Sequence, residues 1–187
     1  MLGAVILSPT TLDPIINEMS RKYNIESALI RGIIKAESNW DVNASRYEAH
    51  KSDASWGLMQ VMLATARKIL NRPDLSTTQL INPRVNIEAG TKTLAENWTR
   101  WGNLSDAIAA YNAGSPRLGK DGKYVNKEYV SKVLKNYEAY KQLGTTAGDI
   151  AINVQEAATS REAIPLYVLL GLGTIALVLT SNNRSEA

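Results

Sequence analysis

The sequence predicts an all-α domain followed by a C-terminal membrane-spanning helix. Three observations carry that expectation. Apolar residues recur at helical spacing in most segments before residue 144. No run alternates apolar and polar residues for long enough to make a strand. Residues 163–180, AIPLYVLLGLGTIALVLT, are 18 residues without a charge, a length that spans a bilayer as a helix.

The elements follow in order. TLDPIINEMSRKY sets Ile15, Ile16 and Met19 at helical spacing, with Thr11 or Asp13 as the cap. IESALIRGIIKAE puts Leu29, Ile30, Ile33 and Ile34 on one face. Residues 38–56 have no sustained period and are rich in Asn, Ser and Asp, which predicts a long loop. LMQVMLATARKIL resumes helical spacing, and NRPDLSTTQLINP is a turn-rich connection. RVNIEAGTKTLAENWTRWG aligns Ile87, Thr91, Leu94 and Trp98 and closes at Gly102. LSDAIAAYNAG is a short helix capped by Ser105 and stopped by Gly114; SPRLGKDGKYV is a loop. NKEYVSKVLKNYEAYKQLG turns Tyr129, Val133, Tyr137 and Tyr140 inward and ends at Gly144. The chain thus divides into a domain over 1–144, a linker or weak helix over 145–162, the apolar helix over 163–180 and a short polar tail over 181–187.

Pro165 suits the first turn of the apolar helix, and Tyr167 an interface. Arg161 and Glu162 before it mirror Arg184 and Glu186 after it, so flanking charge leaves orientation open. The helix implies a lipid bilayer as partner. The N-terminal patch MLGAVIL lacks a basic flank and is too short for a secretory core, so no cleaved signal peptide is expected.

Composition removes several chemistries. With no cysteine, disulfides, thiolate catalysis and Cys-type zinc sites are excluded. His50 is the only histidine, and neither HExxH nor an EF-hand loop is present, so no metal is expected. A Ser-His-Asp triad would have to use His50, and no nucleophile motif accompanies it. Neither a Walker glycine loop nor GxGxxG occurs, and no cofactor is expected. A formal net charge of +3 argues against specific nucleic-acid binding but suits an anionic polymer or surface. The lysines and Arg117 within residues 117–141 are either a solvated helix face or such an attraction.

Glu37 is the anomaly. It extends the stripe of Leu29, Ile30, Ile33 and Ile34, where the spacing calls for a hydrophobe. Either the helix ends there and the carboxylate is solvated, or the glutamate is held partly out of water as a proton donor.

Five strings occur in sequence: ES at 37–38, WGLMQVM at 56–62, NPRVNIEAGTKTL at 82–94, AIAAYNAG at 107–114 and YVSKVL at 129–134. Together they resemble the Slt-type lytic transglycosylases, a branch of the lysozyme-like superfamily, over residues 15–143. The resemblance implies a helical domain whose groove binds the glycan strand of peptidoglycan. Glu37 falls where such enzymes carry their only catalytic carboxylate. Gln60 and Met62, on the GLMQ helix, would line the groove, and Tyr111 and Asn112 would reach Glu37 or the sugar from across it. Asn86 and Gly90 would be structural, and Gly57 would let the backbone pass close to substrate. A serine often helps hold the sugar; Ser55 is a candidate, beside Ser45 and Ser52. Leu63 stands where the family often has proline, and the segment between Glu37 and Gly57 is longer than usual; His50 and Trp56 lie outside the family pattern.

Glycoside cleavage normally takes two carboxylates. A transglycosylase manages with one, because N-acetylmuramic acid attacks itself through its 6-hydroxyl to leave a 1,6-anhydro end. Two competing expectations remain: a hydrolytic muramidase using Asp41, Glu48 or Asp53 to hold water, and a non-catalytic peptidoglycan-binding membrane or virion protein. A lysozyme-like domain with an apolar C-terminal helix suits a membrane-anchored enzyme in a phage particle, acting in the periplasm among other virion or envelope proteins to open the wall for genome entry. Secretion or conjugation machinery and a lysis protein are the other settings.

Overall fold

The computed structural model describes residues 5–48 and 53–159. A 3-10 turn, Pro9–Leu12, leads into α1 (Asp13–Tyr23) and α2 (Ser27–Glu37). Three short strands follow, β1 (Ser45–Glu48), β2 (Asp53–Trp56) and β3 (Val61–Met62), and then α3 (Leu63–Leu70) and α4 (Thr77–Leu80). The long α5 (Pro83–Trp101), α6 (Leu104–Ala113) and α7 (Lys127–Thr159) complete the order. The chain divides into two units, Met1–Ala147 and Gly148–Ala187. The groove that Glu37 borders belongs wholly to the first.

The apolar stripes behave as their spacing demands. Ile16 and Met19 of α1, Ile30, Ile33 and Ile34 of α2, Ile87 and Leu94 of α5 and Ile108 of α6 are buried in one core. Burying one such side chain contributes roughly 1.5–3 kcal/mol. Helix ends are set by local chemistry. Asn82 caps α5 by accepting from the Arg84 amide, ahead of Pro83 at the first position. Gly102 and Gly114 end α5 and α6 at φ +78°, which glycine adopts without steric cost. Two caps differ from expectation. The 3-10 turn makes Leu12 the N-cap of α1, with no side-chain cap. Asn103, one residue before α6, takes the cap expected of Ser105 by accepting from the Asp106 amide.

Two corrections concern fold class. First, the loop expected over 38–56 contains β1 and β2, which pair antiparallel from Ser45↔Trp56 to Glu48↔Asp53. β3 adds through Ser55↔Met62. These strands are short and polar, so their backbone pairing leaves no hydrophobic alternation to read. Secondly, the helix expected over 58–70 starts only at Leu63. The GLMQ stretch is a tight turn, with Gly57 at φ +73° and Gln60 at φ +47°. Beyond these two, α7 runs past the expected end at Gly144 to Thr159, so residues 145–159, read from sequence as a linker or a weak helix, are helical.

Among the described residues no helix is long and apolar enough to cross a membrane. The longest, α7, carries Lys127, Glu128, Lys132, Lys135, Glu138 and Lys141 in its first half, charges that hydrocarbon disfavours strongly. The fold is therefore mostly helical with a small sheet, and the all-α fold with a transmembrane helix is withdrawn. The apolar segment at 163–180, with the bilayer contact it implied, lies outside the described residues, as do His50 and Ser52.

Candidate active site

Glu37 is the last residue of α2 and is half-buried. The chain then turns sharply: Asn39 and Trp40 both take positive φ, 51° and 72°. That conformation is costly for a bulky residue. Trp40 is held in it by burial, by its indole donating to Tyr140 Oη at 3.2 Å, and by its carbonyl accepting from the Leu7 amide. The turn leaves the Glu37 carboxyl at a groove of about 380 Å³.

Glu37, Ser55, Gln60, Met62, Tyr111 and Asn112 all line that groove. Of the two roles the resemblance implies for Tyr111, reaching Glu37 or the sugar, the hydrogen bond to Glu37 does not form. Tyr111 Oη donates not to Glu37 but to the Met59 carbonyl at 2.8 Å. The hydroxyl that reaches Glu37 belongs to Tyr129 of α7, which donates to Oε1 at 2.7 Å. Gln60 spends its amide internally: Nε2 donates to the carbonyls of Ala44 (3.0 Å) and Gly57 (2.9 Å), and Oε1 accepts from Ser55 Oγ at 3.2 Å. Gln60 thus fastens the groove wall. Ser55 is buried on β2 beneath it, whereas Ser45 is exposed on β1 and does not line the groove. Asn112 Oδ1 accepts from Asn126 Nδ2 at 3.0 Å.

The wall is supported from behind by Asn86 of α5. Its Oδ1 accepts from the Met59 amide at 2.8 Å, while Nδ2 donates to the carbonyls of Trp56 (2.8 Å) and Leu80 (3.1 Å). Three backbone groups of the turn and α4 are satisfied by one buried amide. Gly57 is needed against this residue: a Cβ there would lie 2.6 Å from Asn86 Nδ2. Gly90 likewise admits Met59, whose Sδ would be 2.5 Å from an added Cβ.

A transglycosylase SLT domain model matches residues 14–134, which include Glu37, Tyr129 and every groove-lining side chain named above. The chain belongs to that family. It is 31% identical over 121 residues to the transglycosylase of Enterobacteria phage PRD1, covering 65% of this chain and 41% of the phage protein. Invasion protein IagB of Salmonella typhi is 30% identical over 129 residues, covering 67% of this chain and 76% of that one. Among solved structures, an inactive mutant of the lytic transglycosylase Slt from Pseudomonas aeruginosa superposes with a TM-score of 0.59 at 25% identity. That match covers 73% of this chain and 25% of Slt. The chain therefore spans less than half of the phage relative and a quarter of Slt.

Within this SLT domain, Tyr129 is the site residue whose role sequence reasoning missed. The YVSKVL string contains it, but helical spacing marked it only as inward-facing. What brings it to Glu37 is the close approach of α2 and α7. A Cβ on Gly32 would sit 3.0 Å from the Tyr137 amide nitrogen. Asn136 Nδ2 donates to the Gly32 carbonyl at 3.2 Å, and Lys132 Nζ to the Ala36 carbonyl at 2.6 Å. Burial, then the Glu37 charge, pushes the Tyr129 and Tyr111 phenols well above the ordinary tyrosine range. Both remain protonated donors at neutral pH. Arg46 of β1 also lines the groove and favours ionisation of Tyr129, against those larger effects.

Among the described residues the carboxylates lining the groove are Glu37 and the exposed Glu96 of α5. Asp41 and Asp53 do not line it. Asp41 accepts from the Val5 and Asn43 amides, and Asp53 from the Ala54 amide. Among the described residues no acidic or histidine cluster could hold a metal ion. The site is a polar cleft with an oriented, half-buried carboxyl at its wall.

Proposed function

We propose that this chain is a peptidoglycan lytic transglycosylase, cleaving the β-1,4 bond between N-acetylmuramic acid and N-acetylglucosamine to leave a 1,6-anhydro end. The observation that carries it is the half-buried Glu37 at the groove, held by the Tyr129 hydroxyl. Glu37 protonates the leaving glycosidic oxygen. The muramic acid 6-hydroxyl then attacks its own anomeric carbon and gives its proton to the now-charged Glu37, which restores the acid. Tyr129 keeps the carboxyl's orientation through both steps. Ser55, Gln60, Met62, Tyr111 and Asn112 form the walls that hold the sugars.

Glu37→Gln keeps the shape and removes the transferable proton. It should lower release of anhydro-muropeptides from purified sacculi by at least about a thousandfold, the upper part of the range for losing a positioned acid plus base, with an unchanged circular dichroism spectrum. Activity within tenfold of wild type would remove Glu37 from the mechanism. A hydrolytic muramidase is the second reading, because Glu96 stands on the same groove and could hold a water. Mass spectrometry separates the two, since hydrolysis leaves a reducing end. The setting we infer is local opening of the wall for phage genome entry, supported by the phage relative. Particles carrying Glu37→Gln should adsorb normally and deliver less genome; equal delivery would exclude that setting while leaving the chemistry intact.

A further inference from the structure

A second groove lies on a different side of α7 from Tyr129. Residues 117–125 turn back on themselves as a hairpin in which Leu118 bridges to Tyr124. The Gly119 amide donates to the Lys123 carbonyl at 2.7 Å, and the Val125 amide to the Arg117 carbonyl at 3.0 Å. Tyr124 Oη donates to Asp106 at 2.7 Å and fastens the hairpin to α6. Between hairpin and α7 runs an open groove of about 770 Å³. Leu118, Tyr124, Val130 and Leu134 give it an apolar lining, and Lys123 and Lys135 stand on it as exposed cations. Leu118 is 60% exposed although the hairpin fixes its backbone. Glu138, which also lines the groove, lies 4.0 Å from Lys141, and Asp121 lies 3.6 Å from Lys127. Lys123 and Lys135 form no ion pair among the described residues. Residues 117–141 hold seven cations against three carboxylates, a larger positive excess than the +3 of the whole chain.

We propose that this groove docks a segment of a partner protein whose apolar side chains are flanked by carboxylates. Both halves of that description come from the lining: aliphatic and aromatic carbon in the floor, and lysines without an ion pair at the edge. Lys127 and Lys135 are eight positions apart on α7, about 12 Å along its axis. Two turns of a docked helix with acidic residues at its ends match that spacing. A bilayer is flat and does not reach a floor recessed between a hairpin and a helix. A polysaccharide or a nucleic acid would leave the apolar floor uncovered. The hairpin and α7 are already ordered, so docking requires little rearrangement of this chain. The Glu37 groove stays open, because Glu37 and its walls are not part of this face. A partner held here would station the domain within an assembly and leave its cleft free. The docking surface stands apart from the transglycosylase reading and does not depend on it.

The test titrates the full-length chain into three labelled synthetic peptides of about four helical turns and reads fluorescence anisotropy. One carries leucine on one face and glutamate on the other; the second has glutamine for glutamate, and the third serine for leucine. The Leu/Glu peptide should bind at least about tenfold more tightly than either control, since each control lacks one half of the match. Lys123→Gln/Lys135→Gln should weaken it about threefold to tenfold, the modest size expected for exposed ion pairs, and that loss should vanish at about 1 M salt. Leu118→Ser should weaken it about tenfold at either salt concentration, through lost apolar contact. Each variant should keep the wild-type circular dichroism spectrum and the wild-type rate on purified sacculi. Equal affinity for the three peptides, no binding of any, or binding that neither variant weakens would overturn the proposal. Variants that reduce sedimentation with phosphatidylglycerol vesicles and leave peptide binding unchanged would assign the face to lipid, and the proposal would fall. Peptide binding with the expected pattern in a chain that cuts no sacculi would leave the docking surface standing and remove the transglycosylase reading.

Discussion

Tyr129 Oη sits 2.7 Å from Glu37 Oε1, and Tyr111 Oη sits 2.8 Å from the Met59 carbonyl. Two tyrosines of one groove therefore answer for different things. On the proposed mechanism, Tyr129→Phe removes a hydrogen bond that orients the carboxyl. It should lower kcat by about tenfold to a hundredfold, the equivalent of roughly 1.4–2.7 kcal/mol, with KM nearly constant. Steady-state kinetics on soluble glycan strands measures it, and an unchanged kcat would make the contact incidental. Tyr111→Phe instead leaves a carbonyl of the wall unpaired. It should cost about 1–3 kcal/mol of stability, read by urea unfolding, with a smaller effect on turnover than Tyr129→Phe. The reverse order would return the orienting role to Tyr111.

Among the elements, the α2–α7 pair and the GLMQ turn each depend on one close approach. Gly32 meets the backbone of α7 with no room for a methyl group, since a Cβ there would lie 3.2 Å from Tyr137 Cα and 3.3 Å from the Val133 carbonyl oxygen. Backbone cannot swing aside as a side-chain tip does. Gly32→Ala should therefore push α7 outward, cost about 1–3 kcal/mol and lower kcat by weakening the Tyr129 contact. A variant as stable and active as wild type would mean that the helices separate without consequence. In the turn, Asn86→Ala removes three hydrogen bonds to buried backbone at once. The expected cost is about 3 kcal/mol or more, since each unsatisfied group carries its own penalty, and the groove wall formed by Gln60 and Ser55 should loosen with it. Thermal unfolding decides; a loss below about 1 kcal/mol would mean that water replaces the amide.

Across the whole molecule, tyrosines join helices that are distant in sequence, and they set its response to alkali. Tyr124 is raised to about 12 by its hydrogen bond to Asp106, and Tyr137 to about 12 by burial and then by Glu26. Tyr111 and Tyr129 are raised in the same direction by burial. In the unfolded chain these phenols ionise near the ordinary 10.0. Above that pH the unfolded state holds fewer protons than the folded one, so stability falls as pH rises. The stabilisation is complete below about pH 10 and is lost through about pH 12. Urea midpoints should be level with respect to these groups up to pH 9 and drop beyond pH 10, in step with tyrosinate absorbance. A midpoint that holds to pH 11 would show that the phenols ionise in the folded state at no cost.

Several features are legible in the sequence alone. The stripe of Leu29, Ile30, Ile33 and Ile34 is buried as its spacing requires, and Glu37 closes it half-buried. Gly102 and Gly114 end their helices where sequence puts them. Six residues chosen from short motifs line one groove. The stripe and the helix stops follow from local rules, because helical period and capping are properties of neighbours along the chain; the six groove residues follow from the family resemblance of the motifs. What sequence does not supply is pairing across it. The hairpin of β1 and β2 is held by backbone hydrogen bonds that any polar side chains permit. Tyr129 and Glu37 are 92 positions apart, and they meet only because Gly32 lets α7 lie close against α2. Gly57 is required by the close approach of Asn86, 29 positions further along the chain. The apolar C-terminal run lies outside the described residues, and among those described no helix is long and apolar enough to cross a membrane. Local pattern determines which side chains are offered; only tertiary packing, which brings distant backbones within a methyl group of each other, decides which hydroxyl reaches which carboxyl.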